Sequence, residues 1–285
     1  MLTNSIIRFC KPKALAALVI CIAFCHAATA AELQQKTTIA FNRYAAATEA
    51  RSAAELHPGG PFLYIDSLSQ ERKLQAYSDL AHGGLWIEKL ENTLPGMSSD
   101  IPGGMLHHWI GIVFIKGATL EQTLRIVKDY DRRSEYYKPD VIASRLVSHQ
   151  GDDYKIFLRL RQKKFTTAIF NTNYDIHWGS VDATHVYSNS VSTRIAEVKN
   201  SDKPDGEELP VGTGNGYIWR LNTYWRFAEK DGGVYIQCEA LSLSRDIPAG
   251  LGWALNPMVS GIPRESLVHL LSRTSEIVRE EMKRK

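Results

Sequence analysis

Arg194 and Glu197 stand three residues apart in the strand-like run Ser192 to Val198, so they take opposite faces of it. If that strand is half-buried, one of the two points inward, and a buried guanidinium needs a carboxylate partner. A second ionisable set lies in two neighbouring apolar runs. Glu239 is placed across the Asp231-Gly232-Gly233 turn from Arg220 and Arg226, close enough to pair with either. For Arg226 and Glu239 a solvent-side ion pair is the expected arrangement, with ligand anchoring as the alternative.

Other chemistries lack their spacing. His107 and His108 are adjacent, so on a strand they face opposite ways and form no metal site by themselves, while His149, His177, His185 and His269 are scattered. No G-x-S-x-G elbow and no Ser-x-x-Lys occurs. Gly212-Thr213-Gly214-Asn215-Gly216 leads into a strand, which leaves no helix N-terminus to hold a pyrophosphate. The basic run Arg159 to Lys164 reads as solvated charge at a strand end. No catalytic residue, metal or cofactor is therefore assigned.

The elements that must position these groups follow from periodicity. Trp219, Leu221, Thr223, Trp225 and Phe227 share one face of the run 217–227, and Ile218, Arg220, Asn222, Tyr224 and Arg226 share the other. Its partner run sets Val234, Ile236, Cys238 and Ala240 against Tyr235, Gln237, Glu239 and Leu241. Strands are expected over 85–91, 107–116, 141–149, 154–161, 165–178, 184–189, 191–199, 216–229 and 234–244, and their short turns argue for an antiparallel meander. Helices are expected over 34–54, 69–80 and 119–130. A last helix over 263–285 aligns Leu267, Leu270, Leu271, Thr274, Ile277 and Val278 in one stripe, with Pro263 in its first turn. A long helix with one apolar stripe, following antiparallel strands, must lay that stripe across the sheet.

The first thirty residues read differently. Asn4, Arg8, Lys11 and Lys13 precede the apolar run Ala14 to Phe24, and Ala28-Thr29-Ala30 offers small residues for cleavage, the pattern of a secretory signal peptide. The organisation expected is a signal peptide over 1–30, a helical extension over 31–84 and one domain over 85–285. Thirty-four lysines and arginines become thirty-one once Arg8, Lys11 and Lys13 leave, against thirty-one acids. That neutral balance gives no pull toward nucleic acid. Cys238 is the one cysteine after residue 30, so the mature chain has no internal disulfide, and its place in an apolar strand suits a buried thiol.

The order of strands, helix, meander and long final helix resembles the START-like, or SRPBCC, superfamily. So do three stretches of local text: His108-Trp109-Ile110-Gly111-Ile112-Val113-Phe114, Ser192-Thr193-Arg194-Ile195-Ala196-Glu197-Val198, and Tyr224-Trp225-Arg226-Phe227. Leu241 to Pro248 and Pro263 to Leu267 look like the close of exported bacterial members. The resemblance implies an α+β helix-grip fold, a curved antiparallel sheet wrapped around the C-terminal helix over an apolar cavity. It implies an exported protein, periplasmic or secreted, that holds a lipid or other apolar small molecule. Trp219, Leu221 and Trp225 would wall the cavity, Arg194, Glu239 and Arg245 would meet a polar end of the ligand, with structural ion pairing as the other reading of the two arginines, and Trp253 in the segment 246–262 would belong either to a gate with transient membrane contact or to a loop that covers the core. The alternative is a cavity-based enzyme of the cyclase or aromatase kind, for which Tyr224, Glu239 and Arg194 are the groups to suspect. The superfamily text carries fold more than activity.

Overall fold

In the computed structural model of the protein, residues 32–163, 167–199, 206–247 and 252–284 are described, the side chains of 252–260 excepted. The segment 1–30, expected to be a signal peptide, lies outside them. Helix α1 (Gln35–Glu55) buries Thr37, Phe41, Tyr44, Ala45, Thr48 and Ser52 along one stripe. A 3₁₀ turn (Tyr64–Ser67) and helix α2 (Gln70–Ala81) follow.

Ten strands come next, interrupted once by helices: β1 (Leu85–Lys89), β2 (Asp100–Ile101), β3 (Gly104–Lys116), helix α3 (Leu120–Val127), helix α4 (Arg133–Tyr136), β4 (Val141–Gln150), β5 (Asp153–Lys163), β6 (Thr167–Asp182), β7 (His185–Lys199), β8 (Glu207–Glu208), β9 (Arg220–Lys230) and β10 (Gly233–Arg245). Thr119 caps α3 with its hydroxyl on the Gln122 amide, and the Gln122 side chain returns to the Thr119 amide. The sheet runs β1-β3-β10-β9-β7-β6-β5-β4, antiparallel throughout, with β2 added to β3 and β8 to β7. The expected meander is present, and β10 closes it by lying beside β3.

The last helix, α5 (Gly252–Met282), packs across β3. Leu267, Leu271, Ile277 and Val278 join Val113, Ile115, Phe227, Val234, Ile236 and Cys238 in the main core. The approach is closest at Gly111, where a Cβ would stand 2.5 Å from Leu271 Cδ1. The sheet's other face carries α1, the 3₁₀ turn and α2, through clusters built on Phe41, Tyr44, Leu243 and Trp219 and on Leu63, Ile65, Leu80, Ile112 and Phe114. The α+β helix-grip arrangement expected from the sequence is thus observed, with the N-terminal helices supplying a third layer. Below, the face under α5 is called inner and the face under α1 outer.

Three of the departures from expectation bear on the site. Residues 184–189 and 191–199 form one strand, β7, in which Thr193 is an extra residue against β6. The strand expected from 216 starts at Arg220, because Gly214 and Gly216 hold positive φ angles of 98° and 68° in the preceding loop. Helix α5 begins eleven residues before Pro263, so the segment 246–262 expected as a loop is helical from Gly252 onward. Pro257 and Pro263 lie within this helix and each leaves one ladder bond unmade.

Candidate functional site

The inner face of the central strands is built from three transverse rows of side chains. Pairing across β3, β10, β9 and β7 lines up Trp109, Ala240, Thr223 and Ser190 in one transverse row. The flanking rows are His107, Ser242 and Leu221 on one side and Gly111, Cys238, Trp225 and Ser188 on the other. Small side chains hold the middle, and Trp109, Trp225, Trp178 and Tyr174 bound it.

Burial along β9 is the reverse of what its hydropathy suggests. Leu221, Thr223 and Trp225 on the inner face are only half-buried, whereas Asn222, Tyr224 and Arg226 on the outer face are buried. Trp109, Ala240, Ser242 and Leu160 on the inner face are half-buried too. Trp225 lies parallel to Phe227 with centroids 6.0 Å apart, and its Nε1–H donates to Thr223 Oγ1 at 3.2 Å. The inner face therefore keeps accessible apolar and hydroxyl surface beneath a helix. Near its end, at His107, lies an open depression of about 780 Å³ lined by Lys89, Glu91, Asp100, His107 and Asp246. His107 there hydrogen-bonds Ser244 Oγ at 3.1 Å, and burial, with the Lys89 charge, lowers its pKa to about 4.

One cation reaches the inner cluster from the helical side. The Arg133 guanidinium lies 4.8 Å from the Tyr130 ring centroid and 5.9 Å from that of Tyr137, and its Nη2 donates to the Val127 carbonyl at 2.9 Å. Its Nε is buried without a hydrogen-bond partner. Around it Tyr130 accepts from Trp178 Nε1 at 2.8 Å, and Tyr137 meets Thr274 of α5 at 3.0 Å. Burial pushes the Tyr174 hydroxyl up to about 12 and the Cys238 thiol well up, and the Arg133 charge pulls against both shifts.

The outer face holds an ionic chain that the sequence placed in solvent. Glu239 and Arg226 are 1% and 2% exposed, and they do not pair with each other as expected. Arg51 of α1 donates to Glu239 Oε1 at 2.5 Å and to Glu55 at 2.9 Å, and Glu55 accepts from Arg226 at 2.6 Å. Arg226 also donates to the Phe62 carbonyl at 2.7 Å and to Ser52 Oγ at 2.9 Å. His108 Nε2 meets Glu239 Oε1 at 2.6 Å and its Nδ1 meets the Tyr44 hydroxyl at 3.0 Å. Burial alone would raise the Glu239 carboxyl, but the hydrogen bond and charge of His108 and the charge of Arg51 outweigh it and hold the pKa at about 2. The expected solvent-side pair is corrected accordingly: α1 covers this face and supplies the counter-charges.

The seven residues singled out from the sequence divide by face. Leu221 and Trp225 lie on the inner face together. Trp219 precedes the first β9 pair, sends its amide to the Leu243 carbonyl at 2.7 Å and is buried with Phe41 and Tyr44 under α1, not beneath α5. Glu239 is buried on the same outer side. Arg194 sits on the outer surface against Glu208 of β8, and Arg245 donates to the Asn215 carbonyl at 3.2 Å, fastening the loop before β9. The Trp253 side chain lies outside the described residues. Arg133 and its tyrosines were not singled out, although the dense text Tyr130-Asp131-Arg132-Arg133 before Tyr136-Tyr137 carried an aromatic and cationic signal. Among the described residues no three His, Cys, Asp or Glu side chains converge as metal ligands would.

No protein-family profile and no curated protein matches the sequence. Several solved structures are similar to it at low identity. The STAR-related lipid transfer protein of Xanthomonas axonopodis is 17% identical over 62% of this chain and 96% of its own, with a TM-score of 0.41. Human STARD10 is 10% identical over 76% of this chain and 84% of its own, TM-score 0.43. The Zhui aromatase/cyclase of a Streptomyces species is 9% identical over 62% of this chain and 96% of its own, TM-score 0.40.

Proposed function

We propose that the protein is an exported carrier that holds a lipid or other apolar small molecule between the inner sheet face and α5. The observation that supports this reading is the reversed burial of β9: Leu221, Thr223 and Trp225 stay only partly buried on the sheet face that α5 packs against at β3, while the polar face of the same strand is buried. Small side chains at Ser190, Thr223 and Ala240 leave width there, and apolar surface so placed gains about 25 cal/mol for each Å² that a ligand removes from water. The start of the sequence supports export, and the half-exposed Trp109 and Trp225 supply flat contact for an alkyl or ring system.

The cyclase-like alternative finds less support. Tyr224 and Glu239 are buried beneath α1, and Arg194 lies on the outer surface, so none of the three faces the inner surface where a substrate would lie.

Native mass spectrometry of the mature chain purified without detergent, followed by solvent extraction, tests the carrier reading. A stoichiometric co-purifying lipid supports it and gives the ligand class. Apoprotein that takes up no member of a lipid panel, with Ala240→Phe leaving uptake of an apolar dye unchanged, sinks it.

A further inference from the structure

Adjacent arginines at the start of α4 are treated differently. Arg132 is at the surface and has two carboxylates, Glu135 at 3.0 Å and Asp129 at 3.8 Å. Arg133 turns toward the core, and among the described residues no carboxylate lies within ion-pair distance of it. Nor is a nearby acid free to swing in, because Asp129 also accepts from the Tyr136 hydroxyl at 3.2 Å, Asp131 accepts from the Leu146 amide at 2.8 Å, and Glu135 serves Arg132.

The surroundings of Arg133 suit a bound anion better than an empty core. Tyr130 and Tyr137 rings flank the guanidinium, one N–H is taken by the Val127 carbonyl, and the buried Nε–H has no acceptor. Arg133 as a whole is half-buried, yet its buried Nε lacks the acceptor and its charge lacks the carboxylate that Arg132 beside it has. Its fork geometry matches a carboxylate or a phosphate, which accept two parallel N–H bonds. The charge is also felt at Tyr174 and Cys238 on the inner face. Geometry makes the same connection: the Tyr130 beside the guanidinium accepts from Trp178, Trp178 stacks on Phe227 at 5.7 Å, and Phe227 stacks on Trp225 at 6.0 Å, so the cation borders the partly buried inner rows.

We infer that the ligand is an anionic amphiphile, whose carboxylate or phosphate is received by Arg133 while its apolar part lies along Leu221, Thr223, Trp225 and Ala240. This rests on the carrier reading above and adds a head-group chemistry to it. The apolar walls supply affinity for any chain or ring system, and Arg133 selects those that end in an anion.

The test compares palmitate, hexadecanol and inorganic phosphate on the mature protein, titrated by intrinsic tryptophan fluorescence, with Arg133→Gln and Arg133→Lys as variants whose folding is checked by urea denaturation. The expected result is palmitate bound on the order of tenfold more tightly than hexadecanol by the native protein. Arg133→Gln should lose that preference and keep its hexadecanol affinity, and Arg133→Lys should retain part of the preference. Equal affinity for acid and alcohol, or a preference that survives Arg133→Gln, overturns the role of Arg133 and leaves the apolar site standing. Inorganic phosphate binding at Arg133 as tightly as palmitate would show an anion site without an amphiphile and overturn the inference. Failure of both palmitate and hexadecanol to bind overturns it together with the carrier reading for such chains.

Discussion

Arg226 and Glu239 sit on neighbouring strands of the same buried face, one diagonal step apart, and are joined only through α1. Arg226 lies opposite Gln237 in the register, two residues from Glu239. Arg51 and Glu55, one helical turn apart, interleave between them in the order Glu239, Arg51, Glu55, Arg226. The two strand charges are thus each satisfied by a helix residue of opposite sign, and the helix is pinned at two points by groups that would be costly to leave alone.

Arg226→Met should therefore destabilise the protein by roughly 1 to 3 kcal/mol, since it leaves Glu55 with Arg51 alone and strips the Phe62 carbonyl and Ser52 of their buried donor. Urea midpoints give the magnitude. Hydrogen exchange should show α1 amides losing protection first, and unchanged α1 protection would mean that the helix is held by Phe41 and Tyr44 alone.

Arg194→Ala should change stability by less than about 0.5 kcal/mol despite the contact with Glu208, because both side chains are over a third exposed. The same urea measurement serves, and a loss above about 1 kcal/mol would show that β8 depends on this pair.

Acid should weaken the fold in two windows. Burial lowers the folded-state pKa of His107 to about 4 from 6.5, so the unfolded chain takes up the proton first. Stability is full above pH 6.5 and falls as pH drops toward 4, by up to about 3 kcal/mol. Glu239, held at about 2 from 4.5, contributes stability that is present above pH 4.5 and is lost as pH falls toward 2. His107→Gln should flatten the upper window only, as read from urea midpoints taken across the pH range.

Gly111→Ala should cost roughly 1 to 3 kcal/mol, because its Cβ would stand 2.5 Å from Leu271 Cδ1 and 3.5 Å from Leu267. A compensating Leu271→Ala in the same chain should recover part of the loss. Simple additivity of the two costs would place the contact elsewhere.

Which residues share a face was legible in the sequence, and what covers each face was not. The alternation in 217–227 and 234–241 correctly set Leu221 and Trp225 with Cys238 and Ala240, against Tyr224, Arg226 and Glu239. Hydropathy then suggested that the charged face meets water, but α1 lies there, and a charge buried beside a partner reads in sequence like a charge in solvent. Trp219 escaped the pattern because pairing begins only at Arg220, after glycines at positive φ. Pro263 looked like a helix start because the N-terminal turn accepts proline, and nothing local tells a first-turn proline from one tolerated within a longer helix. Arg133 could not be told from Arg132 at all, since a four-residue helix gives too little periodicity to decide which of them points inward.

The bonds that pin α1 also order events in time. Arg51 reaches Glu239 across 188 residues, Arg226 reaches Glu55 across 171, and His108 waits for Glu239 across 131. A chain made from its N-terminus exposes Phe41 and Tyr44 long before β9 and β10 exist to receive them. Helix α1, made well before β9 and β10, is thus among the last elements to dock, so its attachment reports that the final strands are in register, and its long-range closure makes the nascent protein dependent on completing them.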